Sequence, residues 1–495
     1  MQKLSTYLAL AFLTLSCSKQ SENFNLEQQS SKQATLSDDE IRVLSIENEQ
    51  SKLLNTNEIY EEVDNALALL NNKNQRLSLK SSSRRVEKVR ALTNSHNAMR
   101  MSNSKLKMSS NFSDTLAYVV DFADEGGFLL IAADRRVQIP LLAFVDSGSL
   151  QDTIYNGGLG AFLGMAEMGI KQSIYDYEKM KDSVSAELKH KGIALPQLVS
   201  SSSYGDDEYD YEGEIYYETS LAYKDRVIYK KNPLVPTKWS QNEPFNENVK
   251  YNSCSAGTTL AGCVPVAIGQ LMAFWKYPTT LYGDSYNWAS INQYPTLYQM
   301  QNTAPTSVKA QVSNLMDRLG RRMDSDYSCE TTGTKRNKAA EMLTAAGFSH
   351  GGMQSYNYNT VVSSIDDGQP VFGRGNSGQV KVLGIVVGYT GGHAWIIDGY
   401  LTTETKYNYI AERKSRTDGA IIDRWTGSDV SKSHYHHVNW GWGGDRDGYY
   451  AGYYFDANNF PDFNSNVSVY SQSLDNDGEP HNYQYNIEII PFIKK

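Results

Sequence analysis

The chain has 495 residues, enough for more than one folded unit. Its 47 Lys and Arg stand against 56 Asp and Glu, a net charge of -9, and no basic stripe runs along the sequence to follow a phosphate backbone, which argues against nucleic acid as a partner. The 34 tyrosines, many in the second half, favour strands and aromatic-rich surfaces over a helical bundle.

Residues 1–16 read as a secretory signal peptide: Lys3 precedes the apolar run Leu8 to Leu15, which is far shorter than the ~20 apolar residues a membrane-spanning helix needs. Ser16 before Cys17 resembles a bacterial lipobox, so Cys17 is expected to carry lipid and residues 17–40, polar and rich in Gln, Ser and Asn, to form the anchor and tether. The protein is then exported, held at the periplasmic face or cell surface, or secreted after processing. Residues 41–203 form a first globular unit. It has helical spacing at Ile59, Val63, Ala66 and Leu70, a second polar tether from Ser78 to about Ser110, and a hairpin of Ala117–Phe122 and Phe128–Ala133 around Glu125-Gly-Gly. A strand at Leu141–Val145 and a long helix to about Lys191 complete that unit. Residues 204–229 mix Asp and Glu with Tyr and Gly without an apolar period and read as an exposed acidic linker. From 230 to 495 the chain is Gly- and aromatic-rich, the mark of a second unit with many short strands.

Cys263 precedes a helical pattern of Val264, Ala267, Leu271 and Trp275, with Pro265 in the first turn and Pro278 closing the segment. Unpaired N–H groups and the positive dipole end at such a helix start favour thiolate over thiol. A base is offered by His393, approached through the side-chain-free Gly391 and Gly392 and followed by an apolar strand; 130 residues separate it from Cys263, a spacing seen between a nucleophilic Cys and its His. Asn439 can fix the imidazole tautomer, with the indoles of Trp440 and Trp442 shielding the bond from water. Gln241, 22 residues before Cys263, has a side-chain amide suited to a developing oxyanion. Cys254 and Cys329 can pair with each other, which leaves Cys263 free. His434, His436 and His437 have no thiol or carboxylate at ligand spacing, so neither metal nor cofactor is expected.

In order along the chain, Trp239-Ser-Gln241, Gly262-Cys-Val-Pro-Val-Ala-Ile-Gly-Gln-Leu-Met272, Gly391-Gly-His-Ala-Trp-Ile-Ile-Asp-Gly399 and His437-Val-Asn-Trp-Gly-Trp-Gly-Gly444 resemble the streptopain family of bacterial cysteine peptidases. The resemblance implies an α+β fold, with a papain-like catalytic domain at 230–495 behind an α+β inhibitory prodomain at 41–203 and an activation linker at 204–229. It also implies a zymogen of a metal-free cysteine endopeptidase. Cys263 would be its nucleophile, His393 its base and acid, Asn439 the orienting residue, Gln241 the oxyanion donor, and Trp440, Trp442, Gly391 and Gly392 the lining of the substrate site. Polypeptides are the implied substrates and the protein's own prodomain the implied inhibitor. Two departures stand out: the stretch from Tyr400 to Tyr435 is longer than the family leads one to expect, and Ser240 replaces the Asn usual before the Gln. The same Cys-His-Asn chemistry also serves amidases and transamidases, and a binding lipoprotein could keep the fold without the activity. The latter is expected to lose the Cys, His or Gln, and all three are present.

Overall fold

The computed structural model describes residues 36–47, 51–70, 84–93, 115–150, 153–154, 157–191, 215–249, 259–328, 332–376, 381–382, 385–387, 392–415, 418–455 and 487–495. Cys17, Cys254, Cys329, Gly391 and the first part of the expected linker, 204–214, lie outside them. No helix among the described residues is long and apolar enough to cross a membrane.

Among the described residues the first elements are α1 (Asp38–Glu47) and α2 (Thr56–Leu70). A reciprocal capping box starts α1: Glu40 Oε2 accepts from the N–H of Ser37 at 2.7 Å, and Ser37 Oγ accepts from the N–H of Glu40 at 3.3 Å. In α2 the apolar stripe of Ile59, Val63 and Ala66 is buried. The stretch read as a second tether contains a strand, β1 (Val86–Thr93), because Val86 and Val89 find an apolar surface and Arg90 Nε donates to the buried Asp121 at 2.8 Å. It pairs with β2 (Thr115–Phe122), which leads through the Glu125-Gly-Gly turn to β3 (Phe128–Ala132) and on to β4 (Leu141–Val145), an antiparallel meander buried throughout β2, β3 and β4. After β5 (Thr153–Ile154) comes α3 (Gly157–His190).

The larger part of the expected linker is not loop. Residues Ile215–Lys231 form a strand, β6, because behind the acidic run the sequence turns to Ile, Tyr, Thr and Val, the residues that pack on a pleated surface. The second unit then supplies helices α4 (Cys263–Trp275) and α5 (Thr306–Arg322) and strands β7 (Gln354–Ser355), β8 (Val371–Asn376), β9 (Ile385–Val387), β10 (Gly392–Ser415), β11 (Ile421–Asn439), β12 (Gly448–Ala451) and β13 (Glu488–Ile490).

Among the described residues one eleven-stranded sheet runs β1-β2-β3-β4-β12-β11-β10-β8-β13-β7, with β6 also on β10. The two units are therefore joined edge to edge: β4 pairs antiparallel with β12, matching Val145 to Gly448 and Ala143 to Tyr450. Period-two alternation along β10 sets the rest of the architecture. Ala394 and Ile396 face a core shared with α4 and α5, whereas Trp395 and Ile397 face the other core, built with Leu159, Ala161 and Phe162 of α3. The whole is an α+β fold.

Candidate active site

Helix α4 starts at Cys263 because Gly262 holds φ at +97°, where any Cβ would come within 2.9 Å of Thr332 Cγ2, and Pro265 sits in the first turn, where its missing N–H costs nothing. Past that turn, Val266, Ala267, Ile268, Leu271 and Met272 are all buried, so α4 is a core helix rather than a surface one. Gly269 lets Trp239 and Met316 approach: a Cβ there would lie 3.1 Å from the Trp239 ring and 2.5 Å from Met316 Cε.

The partly buried thiol of Cys263 is met by the backbone N–H of Ala394, and by those of Val264 and Cys263 itself. The strand carrying His393 thus reaches the start of α4. Burial pushes the Cys263 thiol up, and the three N–H groups together with the Arg374 cation pull it only part of the way back. The helix-start effect is real here but outweighed while the site is covered. Arg374 faces the thiol because β8 pairs it with Ala394; its guanidinium lies 3.8 Å from Glu488, which also holds Arg336. Nothing in the sequence marks it except a lone cation between two glycines.

His393 belongs to the opposite face of β10. It is 5% exposed, its ring stacks on Trp395 and Trp442 with centroids 6.4 and 6.1 Å away, and Nε2 lies 2.9 Å from the carbonyl oxygen of Trp440. A carbonyl only accepts, so Nε2 carries the proton. Burial lowers the His393 pKa to about 4, the carbonyl bond opposing it, and the ring is neutral at pH 7. Above it lies the start of α3. A Cβ on Gly158 would come within 2.7 Å of His393 Cδ2 and 2.5 Å of the Trp440 ring, so the N-terminal unit seats bare backbone on the imidazole.

Asn439 does not take the position expected of an orienting residue. Its Nδ2 donates to the Thr237 carbonyl at 2.8 Å, and its Oδ1 accepts from the Gly441 N–H at 3.1 Å and from Gln270 Nε2 at 3.3 Å. The side chain is consumed in holding the Trp-Gly-Trp turn, and the neighbouring backbone carbonyl reaches the imidazole instead. Gln270, fully buried on α4, also accepts from the Trp239 N–H at 3.1 Å and so ties together the segments bearing Gln241, Cys263 and Asn439. A polar residue in an otherwise apolar helix was its only sequence signal. Gln241 is buried, and its carbonyl accepts from the Ala261 N–H at 2.9 Å, two residues before Cys263. Trp440 is buried, with Nε1 donating to Tyr450 Oη at 3.1 Å, and Trp442 is partly buried. Gly392 is exposed at the strand start. The three histidines considered for metal go to separate partners: His434 to Tyr358 at 2.9 Å, His436 to Tyr356 at 2.5 Å, and His437 to Asp398 at 2.7 Å.

The family model described as the peptidase C10 family matches residues 239–450, a span that contains all of these side chains except Glu488 and those of the N-terminal unit. Streptopain of Streptococcus pyogenes serotype M28 is 24% identical over 381 residues, covering 70% of this chain and 76% of that protein. Streptopain of serotype M1 is 23% identical over the same length. Among solved structures, a prointerpain A fragment from Prevotella intermedia shares 17% identity at a TM-score of 0.44, covering 82% of this chain and 99% of that one. Active interpain A of the same organism shares 20% at 0.33, covering 53% and 95%. With the motifs of Cys263 and His393 inside the matched span, residues 239–450 match a peptidase C10 domain, that of the streptopain-like papain-fold cysteine peptidases.

Proposed function

We propose that this chain is the latent precursor of an exported cysteine endopeptidase, in which Cys263 attacks the scissile carbonyl and residues 41–203 keep His393 away from it until they are displaced. The observation that carries the reading is the seat of Gly158 on His393 and Trp440, which fixes the imidazole on the N-terminal side of β10 while the thiol lies on the other. Displacement frees the ring to turn about its Trp440 bond. With Nε2 committed to that carbonyl, Nδ1 is the nitrogen left to exchange a proton with the thiol. Uncovering the site also removes the burial that raises the Cys263 pKa, leaving the helix-start N–H groups to favour thiolate.

Acyl transfer then follows: the thiolate forms a bond to the carbonyl carbon, His393 protonates the departing amine, and water cleaves the thioester. The Cys263 N–H and the Gln241 carboxamide receive the oxyanion. Trp442 and the bare approach at Gly391 and Gly392 line the path of the polypeptide. Asn439 acts through the turn it braces. The activating cut falls within residues 204–214, because from Ile215 onward the backbone is paired with β10, and the Lys230 amine near the end of that strand is buried, which lowers its pKa to about 8.

Two expected results test this reading. Gly158→Leu must push α3 off the imidazole, and overpacking of about 1–3 kcal/mol corresponds to a rise of roughly 5- to 150-fold in the activity of the uncut precursor. A precursor as inactive as the parent, with an unchanged melting temperature, would refute the covering role. For the anchor, Cys17→Ser is expected to move the protein from the membrane fraction to the soluble one; equal partition of both forms would leave a plain secretory signal.

A further inference from the structure

We infer that the long ribbon of β10 and β11 is a clasp for the N-terminal unit, anchored by Trp425, and that it keeps that unit seated after the connecting chain is cut. This rests on the inhibitory reading above and adds a separate surface to it.

Trp425 is 7% exposed, yet the rest of its cluster comes from the other unit: Val43, Leu44 and Ile46 of α1, and Tyr177, Val184 and Leu188 of α3. Its neighbours on the same strand are solvated, with Ile421 at 51%, Ile422 at 45% and Val430 at 50% exposure. The indole is therefore buried by the helices and not by the ribbon. The receiving socket is braced from within: Lys191 pairs with Glu40 at 2.7 Å, and Tyr177 Oη donates to Glu47 at 3.1 Å, which fixes α3 against α1. The ribbon is braced too, because β10 has β11 on one edge and β6 on the other out to Ser415. This occurs within the stretch from Tyr400 to Tyr435 whose length sets the sequence apart, and the chemistry proposed for Cys263 and His393 makes no use of it.

The same helix touches both places. Gly158 rests on His393, while Val184, 26 residues further along α3, packs in the cluster with Trp425, a separation of ~40 Å at 1.5 Å per residue. Trp425 sits opposite Ala411, 18 residues along β10 from His393, or as much as ~60 Å of strand. Helix and ribbon therefore meet at the cleft and again at their far ends. A cut within residues 204–214 breaks neither meeting point, so cleavage alone leaves a non-covalent, inhibited complex, and release requires the Trp425 socket to open.

The test uses the full chain carrying a site for an unrelated sequence-specific protease within residues 204–214. In the Cys263→Ala background the two parent fragments are expected to co-elute after cutting. Trp425→Ala is expected to weaken their dissociation constant by roughly thirtyfold or more, as for a buried interface tryptophan, and Trp425→Phe to fall between. Leu188→Ala, on the other side of the contact, should weaken it in the same sense, which separates loss of the contact from a disturbed ribbon. With Cys263 present, peptidase activity should appear on cutting in the variants and stay low in the parent. Separation of the parent fragments as soon as the chain is cut, or unchanged affinity in Trp425→Ala and Leu188→Ala, overturns the clasp. Co-elution with full activity in the complex leaves the clasp standing and overturns the inhibitory reading instead.

Discussion

Cys263→Ala is expected to abolish peptide hydrolysis, by about 10⁶-fold in kcat on the scale of other lost nucleophiles, while leaving the fold intact. The side chain is small and only partly buried at the first position of α4, and alanine is at least as good a helix former, so the melting temperature should move little. Gly262, Pro265 and the buried residues that hold the helix in place are untouched. If the peptidase cuts its own chain, the same variant accumulates as full-length precursor. A mature-length product with parental activity on a peptide substrate would remove Cys263 from the mechanism.

Gln241→Ala is the next largest expected loss, about 10²–10³ in kcat with little change in KM, because the carboxamide acts on charge that exists only in the transition state while the Cys263 N–H continues to serve it. The backbone bond from Ala261 to the Gln241 carbonyl does not depend on the side chain, so the approach to Cys263 keeps its shape. Gln241→Glu should be at least as damaging, since it sets an anion against an anion. A loss of under threefold in the alanine variant would take Gln241 out of the site.

Much of the fold was legible because the sequence carries periods that match its elements. The hairpin strands β2 and β3 are short apolar runs on either side of Glu125-Gly-Gly, and α4 is bracketed by Gly262 and Pro278. Two strands were hidden by their composition. β1 is crowded with Ser, Lys and Arg nearby and is stabilised by a partner, Asp121, that lies far off in sequence; β6 follows a run of acids that dominates any local window. At the site, sequence could propose His393 and Cys263 but not their placement on opposite faces of the start of β10, since that depends on what the strand packs against on each side. The partner of His393 was beyond reach for a different reason. It is the backbone carbonyl of Trp440, and carbonyls are common to every residue, whereas the conspicuous Asn439 beside it is spent on Thr237, Gln270 and Gly441.

The edge-to-edge pairing of β4 with β12 has a consequence for the protein once it is free of its N-terminal unit. While the two are together, Gly448, Tyr449 and Tyr450 are paired on both sides, by β11 and by β4. Departure of β4 strips one side and turns an interior strand into a template open to any extended chain, the usual starting point for self-association. The strand is only four residues long, and the Arg446–Asp445 ion pair puts charged groups beside it. The short length and the adjacent charge are what natural edges use to discourage stacking. Loss of the N-terminal unit would thus exchange a protected interior strand for a brief, charge-flanked edge, and self-association is expected to start there if anywhere.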